Sequence, residues 1–95
     1  MAGDVINNAA KSRYELQADG GVAVAAYEQR GNIVAFTHTL VPEKLRGHGL
    51  AGKLVEAALA DVRTRGLKIV PECKFVIEYV QRHPKVQDLV AGEAA

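Results

Sequence analysis

The sequence predicts an α+β fold in which a mixed, mostly antiparallel sheet carries two main helices in the order βββαβα. Three observations predict it. β-rich runs lie on both sides of Arg30-Gly31-Asn32, a connection short enough for an antiparallel hairpin. At Gly49 the apolar period lengthens from that of a strand to that of a helix. Beyond this helix "LKIVP" reads as another strand, and a helical crossover makes the strands it joins parallel if they share a sheet.

The first predicted strand is "RYELQA", residues 13–18, where Tyr14 and Leu16 alternate with polar neighbours. Asp19-Gly20-Gly21 is a turn, because glycine reaches the positive φ that tight turns need. "VAVAAYEQR" and "IVAFTHTLV" follow as the second and third strands. In the third, alternation puts Val34, Phe36, His38 and Leu40 on one face and Ile33, Ala35, Thr37, Thr39 and Val41 on the other. Pro42 closes it, since proline cannot donate to a ladder. In the helix that follows, Leu50, Leu54, Ala57, Ala58 and Val62 form an apolar stripe opposite Lys53, Glu56, Asp61 and Arg63. Arg63 and Arg65 suit the negative end of its dipole, and Gly66 suits the position just past its end. After the fourth strand, a second helical run places Phe75, Val76, Tyr79 and Val80 together and stops at His83-Pro84. The tail is expected to dock through Leu89 and Val90. One domain is expected over residues 1–95, with 1–12 and 91–95 frayed.

A chain of 95 residues can bury a single core without staples. With 48% hydrophobic and 24% charged residues it has the composition of a globular protein. A net charge of +1, from 12 basic and 11 acidic residues, gives no reason to expect a nucleic-acid or membrane-surface partner. Cys73 is the only cysteine, which excludes an intrachain disulfide and cysteine-rich zinc sites. The first residues lack the basic and apolar regions of a secretory signal, and no apolar run approaches the roughly 20 residues of a membrane span. A cytoplasmic protein is expected. Oligomeric state is not legible.

The stretch "RGHGLAGKL", Arg46 to Leu54, matches three phosphate-binding patterns. Each relies on the unpaired N–H groups and partial positive charge of a helix N-terminus, with glycines removing the Cβ atoms that would hold a phosphate away. G-x-x-x-x-G-K needs Ser or Thr next to hold magnesium, and Leu54 stands there. G-x-G-x-x-G finds an acid, Glu72, about 20 residues on, yet Pro42 to Arg46 intervene where the glycines should leave the strand directly. That reading, which predicts NAD binding, remains a minor one. R-x-x-G-x-A, carried by Arg46, Gly49 and Ala51, suits its setting between a strand, a short loop and a long amphipathic helix.

With "THTLVPEKLRGHGLAGKLVEAAL" and "IVPECKFVIEYVQRHP" in this order, the chain resembles the GNAT acetyltransferase superfamily from about Tyr14 to Val90. It is most similar to the small single-domain branch called YjdJ-like N-acetyltransferases. The resemblance implies a GNAT-like fold, acetyl-CoA as cofactor, and transfer of acetyl to an amine acceptor that the sequence does not name. It implies that the third and fourth strands splay, with the pantetheine arm of coenzyme A pairing with Thr39, Leu40 and Val41. It assigns the pyrophosphate to Arg46, Gly47, His48, Gly49, Leu50 and Ala51, with Gly52 and Lys53 beside them.

Three side chains are candidates for catalysis. Cys73 precedes the second helix beside Lys74, and both features favour thiolate, so it could form an acetyl-enzyme, lie beside the coenzyme's sulfur, or be a buried small hydrophobe. His38 could act as base or be a satisfied core histidine beside Phe36 and Leu40. Tyr79 could act as acid, as a tyrosine on this helix often does in the superfamily, or simply pack. Many members carry a glutamate on the strand before the loop, where this chain has Leu40. That departure weakens a base-assisted route and keeps Cys73 in contention. The alternative is a non-catalytic acyl-CoA-binding or protein-interaction module, since so short a chain leaves little wall for a substrate pocket.

Overall fold

Five strands pair in the order in which the chain makes them, in a computed structural model that describes residues 5–18, 20–47 and 49–91. β1 (Val5–Asn8), β2 (Arg13–Ala18), β3 (Gly21–Arg30) and β4 (Ile33–Leu40) are successively antiparallel. β5 (Lys68–Pro71) lies parallel to β4, reached through the helix α1 (Leu50–Thr64). A second helix, α2 (Lys74–Arg82), follows β5, and a 3₁₀ segment spans Pro84–Leu89. This is the expected mixed sheet and the expected order, with one strand added at the front.

The added strand corrects the expectation of a frayed start. Val5–Asn8 pairs with β2 from Val5↔Leu16 to Asn8↔Arg13, and Tyr27 donates its hydroxyl to Asn7 Oδ1 at 2.6 Å. Residues 1–4 and 92–95, also expected to fray, lie outside the described residues, as do Asp19 of the first turn and His48. The tail docks as expected: Leu89 is buried, Val90 bridges Ile69, and the Ala91 N–H reaches the Ile69 carbonyl at 2.8 Å.

One face of the sheet and both helices share a single apolar cluster. Tyr14, Leu16, Ala23, Ala25, Tyr27, Val34 and Phe36 supply the sheet side. Leu54, Val55, Ala58, Leu59 and Val62 of α1 and Val76 and Val80 of α2 cover it. Each fully buried large aliphatic contributes about 1.5–3 kcal/mol over leaving it in water. In α1 the stripe is broader than expected, because Val55 and Leu59 are buried while Ala57 is only half-buried. The helix ends as its sequence dictates. Gly66, with φ 71°, bonds to the Arg63 carbonyl, and the Leu67 N–H to the Val62 carbonyl, the paired closure of a Schellman motif.

The expected faces of β4 need correction. Its register against β3 shifts between Tyr27↔Phe36 and Ala26↔His38, so Thr37 is the extra residue of a bulge. A one-residue slip sends every later side chain to the other face. Val34 and Phe36 are buried as expected, but His38 is exposed and Leu40 is 64% exposed. Thr39, opposite buried Ala25, is half-buried, and Val41 packs against the core. His38 is therefore not a core histidine.

Candidate functional site

β4 and β5 stay together only from Ile33↔Lys68 to Phe36↔Pro71. Pro71 has no N–H to extend the ladder, and the next two N–H groups converge on one acceptor. The Phe36 carbonyl takes Glu72 N–H at 3.0 Å and Cys73 N–H at 2.9 Å, turning the chain out of the sheet. β4 runs on to Leu40 without a strand partner on that side among the described residues. The result is a gap between β4 and the edge strand β5, with unpaired backbone along the β4 wall.

Cys73 stands at the head of that gap, immediately before α2. Its Sγ lies 3.2 Å from Thr39 Oγ1, which the bulge has turned inward. Burial alone would raise the thiol's pKa. The Thr39 hydroxyl, then the backbone N–H groups of Val76, Phe75 and Thr39, outweigh that cost and set it below the ordinary thiol value. No short hydrogen bond from the Cys73 side chain caps the helix, so these amides act as oriented dipoles around the sulfur. The half-buried thiol is thus biased towards the nucleophilic form.

The glycine-rich stretch lies between a 3₁₀ turn, Glu43–Leu45, and α1. That turn separates the glycines from β4, unlike the tight strand-to-helix turn of a dinucleotide fold. Gly47 and Gly49 have φ of 84° and 73°, left-handed conformations that other residues rarely adopt, and a Cβ on either would meet nothing within 4 Å. Lys53 N–H bonds to the Gly49 carbonyl at 3.1 Å, and among the described residues the N–H groups of Leu50, Ala51 and Gly52 at the start of the helix have no backbone partner. Arg46 folds back, its Nε donating to the Val41 carbonyl at 3.2 Å.

Two grooves meet at Gly49, Gly52 and Phe75. The smaller, about 330 Å³, lies between the Arg46–Gly52 stretch and Phe75. The larger, about 680 Å³, continues between α1 and α2 to Lys53, Arg82, His83 and Lys85, with Glu56 and Glu78 on its rim. Tyr79 stacks on His83 there, ring centroids 3.9 Å apart and planes 14° from parallel. Burial and then the Glu56 charge raise the Tyr79 pKa, so its phenol stays protonated.

The structure thus brings together Cys73, Thr39 and the gap, and separately the glycine stretch, Gly52, Lys53 and Phe75. Among the described residues no hydrogen bond joins His38 or Tyr79 to Cys73, whose side-chain neighbour is Thr39. His38 is exposed, its Nδ1 beside Thr37 Oγ1 at 3.1 Å, and Tyr79 sits about 9 Å further along α2 in the larger groove. Leu40 offers only backbone to the gap region, its side chain lying on the outer face. Phe75 was read from the sequence only as part of the apolar face of the second helix, and Arg82 and Lys85 were not singled out. The run "QRHPK" after an amphipathic helix was the available signal, but it points to a groove only once α1 is known to lie alongside.

Comparison with known proteins agrees with this architecture. The model of the GCN5-related N-acetyl-transferase family matches residues 13–89. Protein NATD1 of Gallus gallus and of Mus musculus are each 41% identical to the chain over 68 residues, 70% of this chain and 62% of theirs. Protein NATD1 of Xenopus tropicalis is 38% identical over the same length. The match therefore spans less than two thirds of those relatives. A GCN5-like chain from Staphylococcus aureus, solved in solution by NMR, superposes with a TM-score of 0.72 over 94% of this chain and 88% of that one. At 24% identity that likeness attests the fold. Among the described residues no helix is long and apolar enough to cross a membrane. With the family match running from the start of β2 to Leu89, the chain belongs to the GCN5-related N-acetyltransferase family.

Proposed function

We propose that the protein binds acetyl-CoA and transfers the acetyl group to an amine through Cys73. The observation that carries this reading is the gap between β4 and β5, with a thiolate-biased Cys73 at its head and a glycine-lined helix N-terminus beside it. Coenzyme A combines a diphosphate, a narrow amide-bearing arm and a phosphorylated adenosine, and three features match these in order. The N–H groups of Leu50 to Gly52 at the helix N-terminus suit the diphosphate, the unpaired wall of β4 suits the amides of the arm, and the groove with Lys53, Arg82 and Lys85 suits the phosphorylated adenosine.

In the proposed reaction the Cys73 thiolate attacks the thioester carbonyl, the bond from that carbon to the coenzyme's sulfur breaks, and coenzyme A leaves as a thiolate that takes up a proton. The amine nitrogen then attacks the acetyl carbon on Cys73, the sulfur leaves, and the amine's proton passes to water. The Thr39 N–H beside the sulfur is placed to polarise the carbonyl. Among the described residues no basic side chain is hydrogen-bonded to Cys73, which favours the thiol itself as the nucleophile. A cytoplasmic site of action, where thiols are kept reduced, suits a thiol nucleophile.

Calorimetric titration of the apo protein with acetyl-CoA, CoA, ATP and NAD tests the ligand. Binding of the CoA forms alone, abolished by Gly49→Glu, is the expected result; silence towards both CoA forms overturns the proposal. Intact mass spectrometry after incubation with acetyl-CoA should show one added acetyl group, absent from Cys73→Ala. A non-catalytic CoA-binding module would instead hold the coenzyme with neither acetyl-cysteine nor CoA release.

A further inference from the structure

Among the described residues the larger groove is lined by one imidazole, His83. His83 Nδ1 lies 2.7 Å from the Tyr79 carbonyl, and a carbonyl only accepts, so Nδ1 carries the hydrogen. The ring is held further by its stack on Tyr79. Neutral His83 therefore offers Nε2 as an acceptor, which repels a phosphate oxygen; protonated, it offers a donor there without rotating. The charged groups lining the same groove are Lys53 and Glu56 from α1, Glu78 and Arg82 from α2, and Lys85 from the 3₁₀ segment. Among the described residues none of the three cations lies within 4.0 Å of a carboxylate. Three unpaired cations against two acids leave the groove suited to a phosphate, and a flat aromatic pair forms its far wall.

We infer that His83 couples proton uptake to recognition of the 3′-phosphate of coenzyme A, binding it as an imidazolium together with Arg82 and Lys85. The inference rests on the reading of this groove as the adenosine end of a coenzyme A site. Binding then draws a proton from solvent onto His83 Nε2, and the affinity falls as pH rises. The phosphate's own second ionisation, near pH 6, works in the opposite direction, so tighter binding in acid cannot come from the ligand. The protein thereby separates coenzyme A from its dephospho form more sharply as pH falls.

The test compares coenzyme A with dephospho-coenzyme A, which keeps the pyrophosphate and lacks only the 3′-phosphate, on either side of about pH 6.5. For the unmodified protein the dissociation constant of coenzyme A should rise about fivefold towards the alkaline side, while that of dephospho-coenzyme A changes little. Subtracting the dephospho form removes any contribution from His48, whose place in the sequence is the pyrophosphate stretch. His83→Gln should abolish the difference between the two ligands' pH profiles. Without mutation, the His83 ring followed by NMR should titrate at higher pH with coenzyme A bound than with the dephospho form bound. Equal pH profiles for the two ligands, or a His83 titration indifferent to the 3′-phosphate, overturn the inference while leaving the coenzyme site standing. Failure of both ligands to bind at any pH overturns both.

Discussion

Thr39 and Cys73 lie 34 positions apart in the chain and meet across the gap at 3.2 Å. Their partnership has a measurable consequence. Alkylation of Cys73 by iodoacetamide should rise with pH along a titration curve whose midpoint lies below that of an ordinary thiol, because the thiolate is the reacting form. Thr39→Val removes the hydroxyl that favours the thiolate, so the midpoint should move up and the rate at neutral pH fall by about threefold to tenfold. Gly52 supports a second prediction. It sits in the first turn of α1 with nothing within 4 Å of where a Cβ would lie, although glycine in a helix costs about 0.5–1 kcal/mol relative to alanine. Gly52→Ala should therefore raise the thermal midpoint of the apo protein while weakening coenzyme A binding, measured by melting and by titration. The glycine stretch was legible in the sequence because its chemistry is local. The meeting of Cys73 with Thr39 was not, because it depends on a bulge and on where β5 stops.

At the scale of elements, the strands and helices followed from periodicity almost to the residue, and the departures have physical causes. "VINN" is too short and too polar to declare itself; it becomes β1 because β2 offers a free edge and Tyr27 holds Asn7. The bulge at Thr37 leaves no compositional mark, so alternation carried past it assigns His38 and Leu40 to the wrong face. The 3₁₀ segment Pro84–Leu89 is secured by charge. Arg63 donates both terminal nitrogens to Asp88, each at 2.9 Å, and one of them to the Lys85 carbonyl at 2.8 Å. Arg63 beside it, against some burial, holds the Asp88 carboxyl below the usual carboxylate range. A depressed carboxyl stabilises the fold at neutral pH, and that contribution is lost as pH falls through the depressed value. Asp88→Asn should thus speed hydrogen exchange at the Ala91 amide several-fold at neutral pH and leave less difference from the parent protein in acid. Because Lys85 rides on this segment, the same variant should loosen one wall of the larger groove.

For the molecule as a whole, stability and the site share a residue. The rings of Tyr14, Tyr27 and Phe36 stand 5.4–6.2 Å apart at the centre of the core, while the Phe36 carbonyl fixes where β5 leaves the sheet. Phe36→Ala should cost about 3–5 kcal/mol, a large part of the roughly 5–15 kcal/mol that holds a typical domain together. Denaturant melts would show that loss. Leu16→Ala, also fully buried but remote from the gap, should lose about 2–5 kcal/mol while keeping coenzyme affinity in its folded fraction. The strand order β1-β2-β3-β4-β5 repeats the order of the chain, so every antiparallel pair closes over a short connection and only β4 with β5 must wait for a helix. Short connections close first during folding, and the one long-range pairing closes late. In a chevron analysis Leu16→Ala should slow refolding, whereas Ile69→Ala should mainly hasten unfolding. The seam where coenzyme A is proposed to lie would then be the last part of the sheet to assemble and the first to open.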